Sequence, residues 1–163
     1  LYLTTLGLSK SERRNIAMFR IQGTSYVATH ARFRDTDLYG GQTHYQNSHC
    51  IWPACCRHGN QVLDDTTHVM LHCPLHDEAR THLLDRVRVA LFPHGVAFSD
   101  LGSDIEKVRF LLGSPPRLVA NALSDSTTAY RDVLRASAEF IRAVYSARWV
   151  RGHQHNVQNG AGS

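Results

Sequence analysis

All four cysteines of this chain fall in one stretch, CIWPACCRHGNQVLDDTTHVMLHC. They are Cys50, Cys55, Cys56 and Cys73, and His68 lies among them. Thiolates and an imidazole gathered in this way chiefly share one metal ion, and a shared ion fixes the path of the chain between its ligands. The spacing predicts a CCHC zinc site made of Cys50, one of Cys55 or Cys56, His68 and Cys73. Its first half is Cys-x4-Cys or Cys-x5-Cys, and its second half is His-x4-Cys. Cys55 makes the tighter loop and is favoured over Cys56. The rival reading is four reduced cysteines buried as small apolar side chains. Adjacent cysteines and a histidine at ligand spacing suit a reducing intracellular compartment, nuclear or cytoplasmic, better than a disulfide framework. Four protein ligands close the tetrahedron, so the expected role is structural.

Around this knuckle the periodicities are helical, and the expected fold is mostly α, a small helical domain with the zinc-stapled segment between helices. Ser9 or Ser11 caps a first helix through Glu12, Ile16, Phe19 and Arg20, with Gly23 ending it. A second short helix is expected from Thr24 or Ser25 to Phe33, then a polar loop from Arg34 to Asn47 and a turn-rich knuckle from Cys50 to Asn60. Asp64, Asp65 and Thr66 are capping residues for a helix carrying His68. Cys73-Pro74 turns the chain, because proline disfavours helix at the residue before it. Leu75, Ala79, Leu83, Val87 and Leu91 then recur at helical spacing up to Phe92. A loop from Pro93 to Ser103 precedes a short helix, Asp104 to Leu112, broken by Gly113, Ser114, Pro115 and Pro116. The last helix runs from Ser124 or Ser126 to about Val150, with Tyr130, Val133, Leu134, Ser137, Phe140, Ile141, Val144, Tyr145 and Arg148 on one face. The segments are therefore 1–47 (N-terminal helical), 48–92 (knuckle and following helix), 93–151 (C-terminal helices) and 152–163 (a disordered tail rich in Gly, Asn, Gln and His).

The 163 residues carry a formal net charge of +4, and Lys10 and Lys107 are the only lysines, so the positive charge is nearly all arginine. Arginine presents a planar fork suited to phosphate. No apolar run approaches the ~20 residues that a spanning helix needs, so no membrane is expected. The chain begins at Leu1 rather than Met, which reads as a fragment, a processed product or an incomplete reading frame. His68 is followed by Val69 and not by the glutamate of a His-Glu-x-x-His protease, although His68, His72 and His76 follow at one-turn intervals. A Cys56–His58 pair is weak as a nucleophile couple. No Gly-rich phosphate loop or serine nucleophile elbow is present, and no enzyme is expected.

THVMLHCPLHDEARTHLL, Thr67 to Leu84, resembles the stretch that follows the reverse transcriptase domain of non-LTR retrotransposons. In that family a Cys-x2-Cys is followed by a loop, a His-x4-Cys-Pro and a helix with arginine and leucines. Here His68, Cys73, Pro74, Arg80 and Leu83 match. NIAMFRIQGTSYVATHARF, VRFLLG and AEFIRAVYSAR are similar to the flanking segments, so the resemblance spans most of Asn15 to Arg148. It implies that Cys50, Cys55 or Cys56, His68 and Cys73 are zinc ligands. It also implies a non-catalytic C-terminal module lacking the paired aspartates of the polymerase. The four or five residues between the first two ligands depart from the family's two.

The expected partners are RNA or DNA and the reverse transcriptase body of the same polyprotein. Arg57 is a candidate phosphate contact, and Trp52 and Tyr45 are candidate stacking platforms. Trp52 has a rival role packed over the metal loop. The alternative function is a structural or interaction module docking on a polymerase body, its long last helix as the docking surface, or a degenerate relic of such an element.

Overall fold

The computed structural model describes residues 7–21, 50, 55, 62, 65–123 and 127–160. It is mostly α, and among the described residues there is no strand. The expected helix from Thr24 or Ser25 and the polar loop after it lie outside the described residues, as does most of the Cys50–Asn60 knuckle.

Helix α1 spans Lys10–Ile21. The Glu12 N–H donates to Ser9 Oγ at 3.2 Å, and the Ser9 N–H donates to Glu12 Oε2 at 2.6 Å. This reciprocal capping box satisfies two otherwise orphaned amides and fixes where the helix begins. Helix α2 spans Asp77–Leu91, after a 3-10 turn at Pro74–His76. Helix α3, Asp104–Leu111, opens on a second capping box, in which the Ser103 N–H donates to Glu106 Oε2 at 2.9 Å. The intervening segment is not a plain loop, since 3-10 turns form at Phe92–His94 and Phe98–Leu101.

A short helix α4, Arg117–Ala122, follows the double proline that the sequence marks only as a break. Pro116 stands directly before it, outside the hydrogen-bonded interior, where its missing N–H costs nothing. Helix α5 spans Thr127–Gly160 and passes the boundary placed at residue 151. No proline follows Pro116, and the glycine at 152 costs a helix only about 1 kcal/mol.

Helix α5 organises the body. Its face of Tyr130, Val133, Leu134, Ser137, Phe140, Ile141 and Val144 is buried, as the spacing predicts. Helix α1 lies along it in the same direction: Glu12 pairs with Arg135 (3.7 Å), and Phe19 meets Tyr145 edge-on at 6.5 Å. Helix α2 lies across it, with His76 edge-on to Phe140 and Arg86 ion-paired to Glu139. Helix α3 is tied on by the Tyr130 hydroxyl, which donates to the Phe110 carbonyl at 3.2 Å. Because that face is spent on the protein's own core, the apolar stripe of α5 is not a free docking surface.

Candidate metal centre

The site lies where the turn before α2 meets the stretch from Cys50. Asp65 starts the local structure: its Oδ1 accepts the His68 N–H at 2.7 Å, the bond of an N-cap to the third helical amide. The helix it opens then widens. The Cys73 N–H donates to the His68 carbonyl at 2.7 Å, five residues back, and His68–His72 forms a π turn. In an ordinary α-helix, residues five apart sit about 140° round from one another. The wider turn brings the fifth residue back toward the first, so His68 and Cys73 share a side. Such π turns recur at functional sites. Cys73 itself is extended (φ −66°, ψ 117°), as the following proline requires.

Cys50 and Cys55 complete the cluster. Cys50 is anchored by its N–H, which donates to the Val62 carbonyl at 2.8 Å. Its Sγ lies 3.8 Å from Cys73 Sγ, and Cys55 Sγ lies 3.8 Å from Cys73 Sγ and 3.5 Å from His68 Nε2. The four ligand atoms all fall within 4.8 Å of one another. Cys50, His68 and Cys73 are buried and Cys55 is partly so. The sulfurs are too far apart to be bonded, and all three cysteines are free thiols.

The 3.8, 3.8 and 3.5 Å separations match three edges of a coordination tetrahedron. Metal–sulfur bonds of ~2.3 Å at tetrahedral angles put sulfurs about 3.8 Å apart, and an imidazole nitrogen bound at ~2.05 Å stands about 3.6 Å from each sulfur. The donor set therefore fits one soft or borderline ion. The Cys50 thiol, hydrogen-bonded to Cys73, holds the Cys73 thiol below its ordinary range against the opposing effect of burial.

Compared with family models, curated proteins and solved structures, the chain matches none of them.

Of the two rival second ligands, Cys55 stands in the cluster. Cys56 lies outside the described residues, as do Tyr45, Trp52, Arg57 and His58. The other two histidines of the one-turn series stay out of the cluster. His72 faces solvent and hydrogen-bonds Asp104 at 2.7 Å. His76 is buried against Phe140.

The resemblance marks Arg80 by its place in the pattern, but the apolar spacing does not put it in the core. Arg80 is 7% exposed, and its Nη2 donates at 2.5 Å both to the Cys73 carbonyl and to Asp77 Oδ1. The signal was present: His76, Arg80, Leu83, Val87 and Leu91 follow one another at helical spacing and are the buried face. The expected stripe holds at Leu83, Val87 and Leu91, with Ala79 packed against the core, but His76 and Arg80, which do not look like core residues, are buried more deeply than Ala79.

Proposed function

We propose that this chain is a zinc-stapled helical module that holds RNA or DNA for a reverse transcriptase, in the manner of the C-terminal knuckle of non-LTR retrotransposons. The observation that carries the metal part is the set of 3.8, 3.8 and 3.5 Å separations among Cys50, Cys55, Cys73 and His68. A tetrahedral set of three sulfurs and one nitrogen is characteristic of zinc, which takes thiolate and imidazole together without redox chemistry. Four protein ligands leave no coordination position for substrate, which supports a structural ion and a module with no catalysis of its own. A thiol-rich site of this kind suits the reducing interior of a cell.

The nucleic-acid part is supported by a groove beside the site. Phe19, Arg20, Thr66, Val108, Arg109, Leu112 and Ser114 line a cavity of about 330 Å³. Two exposed guanidinium groups and two hydroxyl side chains border an apolar floor, with no carboxylate in the lining. Thr66 begins the turn that carries His68, so the groove adjoins the metal centre.

Titration of labelled single-stranded RNA and DNA against salt tests this reading. Phosphate contacts release counterions, so log K should fall linearly with log salt. Arg20→Ala and Arg109→Ala should each weaken binding across sequences and lower the slope by about one. No measurable affinity at low salt would sink the reading.

A second reading, docking on a polymerase body, is favoured by Val89 and Phe92, which are 68% and 81% exposed and three residues apart at the end of α2. Salt-insensitive binding to the polymerase, lost in Phe92→Ala, would select it.

A further inference from the structure

We propose that Arg80 is a positioning residue of the metal centre, holding the backbone at Cys73 and supplying the countercharge that a three-thiolate site requires. The inference rests on the metal reading above.

Arg80 is nearly inaccessible, and a buried cation is costly unless it is paired. Its one ion-pair partner among the described residues, Asp77, has a side chain 71% exposed, so solvent shares that carboxylate. Its Nη1 is buried with no hydrogen-bond partner among the described residues. The guanidinium is thus under-compensated where it stands, and where it stands is the carbonyl of Cys73.

A divalent ion bound by three thiolates and a neutral imidazole carries one net negative charge. Cys50 and Cys73 are buried, so water does little to screen that charge. A fixed guanidinium on the residue that supplies one thiolate stabilises the loaded state more than the state with neutral thiols. Its geometry adds a second effect. One nitrogen bridges the Cys73 carbonyl and the Asp77 carboxylate, which locks the turn that aims Cys73 Sγ at the other ligands. Groups of this kind, one shell outside the ligands, typically change metal affinity by about 10–100-fold. A lysine would keep the charge and lose the planar fork.

The test uses the full chain as wild type, Arg80→Met and Arg80→Lys. Zinc affinity is read by competition with a chromophoric chelator, cobalt substitution is read by its ligand-field spectrum, and chelated samples are melted in parallel. Arg80→Met should weaken zinc by about 10–100-fold, and Arg80→Lys should fall between it and wild type. If Arg80→Met does not fold, a weakened affinity in Arg80→Lys supports the proposal. Wild-type affinity in either variant overturns it. So does a loss of affinity that the lowered stability of the chelated protein accounts for in full. A wild-type chain that takes up no zinc or cobalt overturns the metal reading and the proposal together. Normal zinc uptake that is indifferent to Arg80 overturns the proposal alone.

Discussion

The backbone of Cys73 hydrogen-bonds the carbonyl of His68 at 2.7 Å, so two members of the cluster are joined by a single widened turn. Half of the donor set is therefore organised by the helix end itself, and the other half arrives from Cys50 and Cys55.

Removal of any cluster member should abolish stoichiometric zinc, because binding and local folding are one event in small sites. Elemental analysis of Cys55→Ser and His68→Ala should find none, whereas Cys56→Ser should retain one ion per chain. Zinc retained in Cys55→Ser and lost in Cys56→Ser would reverse the assignment of the second ligand.

The capping box of α1 should show in both mutation and pH. Ser9→Ala removes an N-cap and should cost about 1 kcal/mol in a urea melt. Burial alone would raise the Glu12 carboxyl, but hydrogen bonds from the Ser9 amide and hydroxyl, with Arg135 nearby, hold it below its usual value. A depressed folded value means that the carboxylate's contribution is complete above the usual carboxyl range and fades as pH falls through the depressed value. Glu12→Gln should flatten the acid limb of the stability profile. An identical limb in both proteins would remove Glu12 from the account.

Two glycines should behave differently. Gly102 has φ +82°, and a Cβ there would lie 2.5 Å from the Glu106 carboxylate that caps α3. Gly102→Ala should push the Glu106 carboxylate off the Ser103 amide and strain the backbone, by about 1–3 kcal/mol together. Gly95, with φ +65° and open space around the missing Cβ, sits in the left-handed region that asparagine tolerates. Gly95→Asn should be nearly neutral in the same melts, and equal losses at the two sites would contradict this.

The core of α5 predicts a graded loss. Ile141 is fully buried, so Ile141→Val should cost about 0.5–1.5 kcal/mol and Ile141→Ala about 2–5 kcal/mol. An Ile141→Ala protein as stable as wild type would mean that α5 does not pack as described.

The sequence was a good guide wherever a pattern repeats. The buried face of α5 is the one its apolar spacing marks, and the Ser9–Glu12 pair has the spacing of a capping box. Cys55, favoured for its tighter loop, stands in the cluster, and Cys56 lies outside the described residues. The guide failed where a single contact decides the outcome. The π turn depends on one hydrogen bond between His68 and Cys73, which no periodicity encodes. The apolar spacing finds Leu83, Val87 and Leu91 of α2 but leaves out His76 and Arg80, which occupy core positions for reasons of partnership rather than hydropathy. Helix α4 was missed because Pro115 and Pro116 mark a stop and a start alike.

Among the described residues between Cys50 and Cys73, only Val69 and Met70 join the central apolar core, with Leu71 against its edge. The helices meet through Ile16, Phe19, Leu83, Val87, Phe110, Leu134 and Ile141 without calling on any cysteine. We expect two separate melting events, a low one that moves with chelator and a high one that does not. A chain built this way keeps its helical body when the ion is taken away, so the scaffold outlasts the site that it carries.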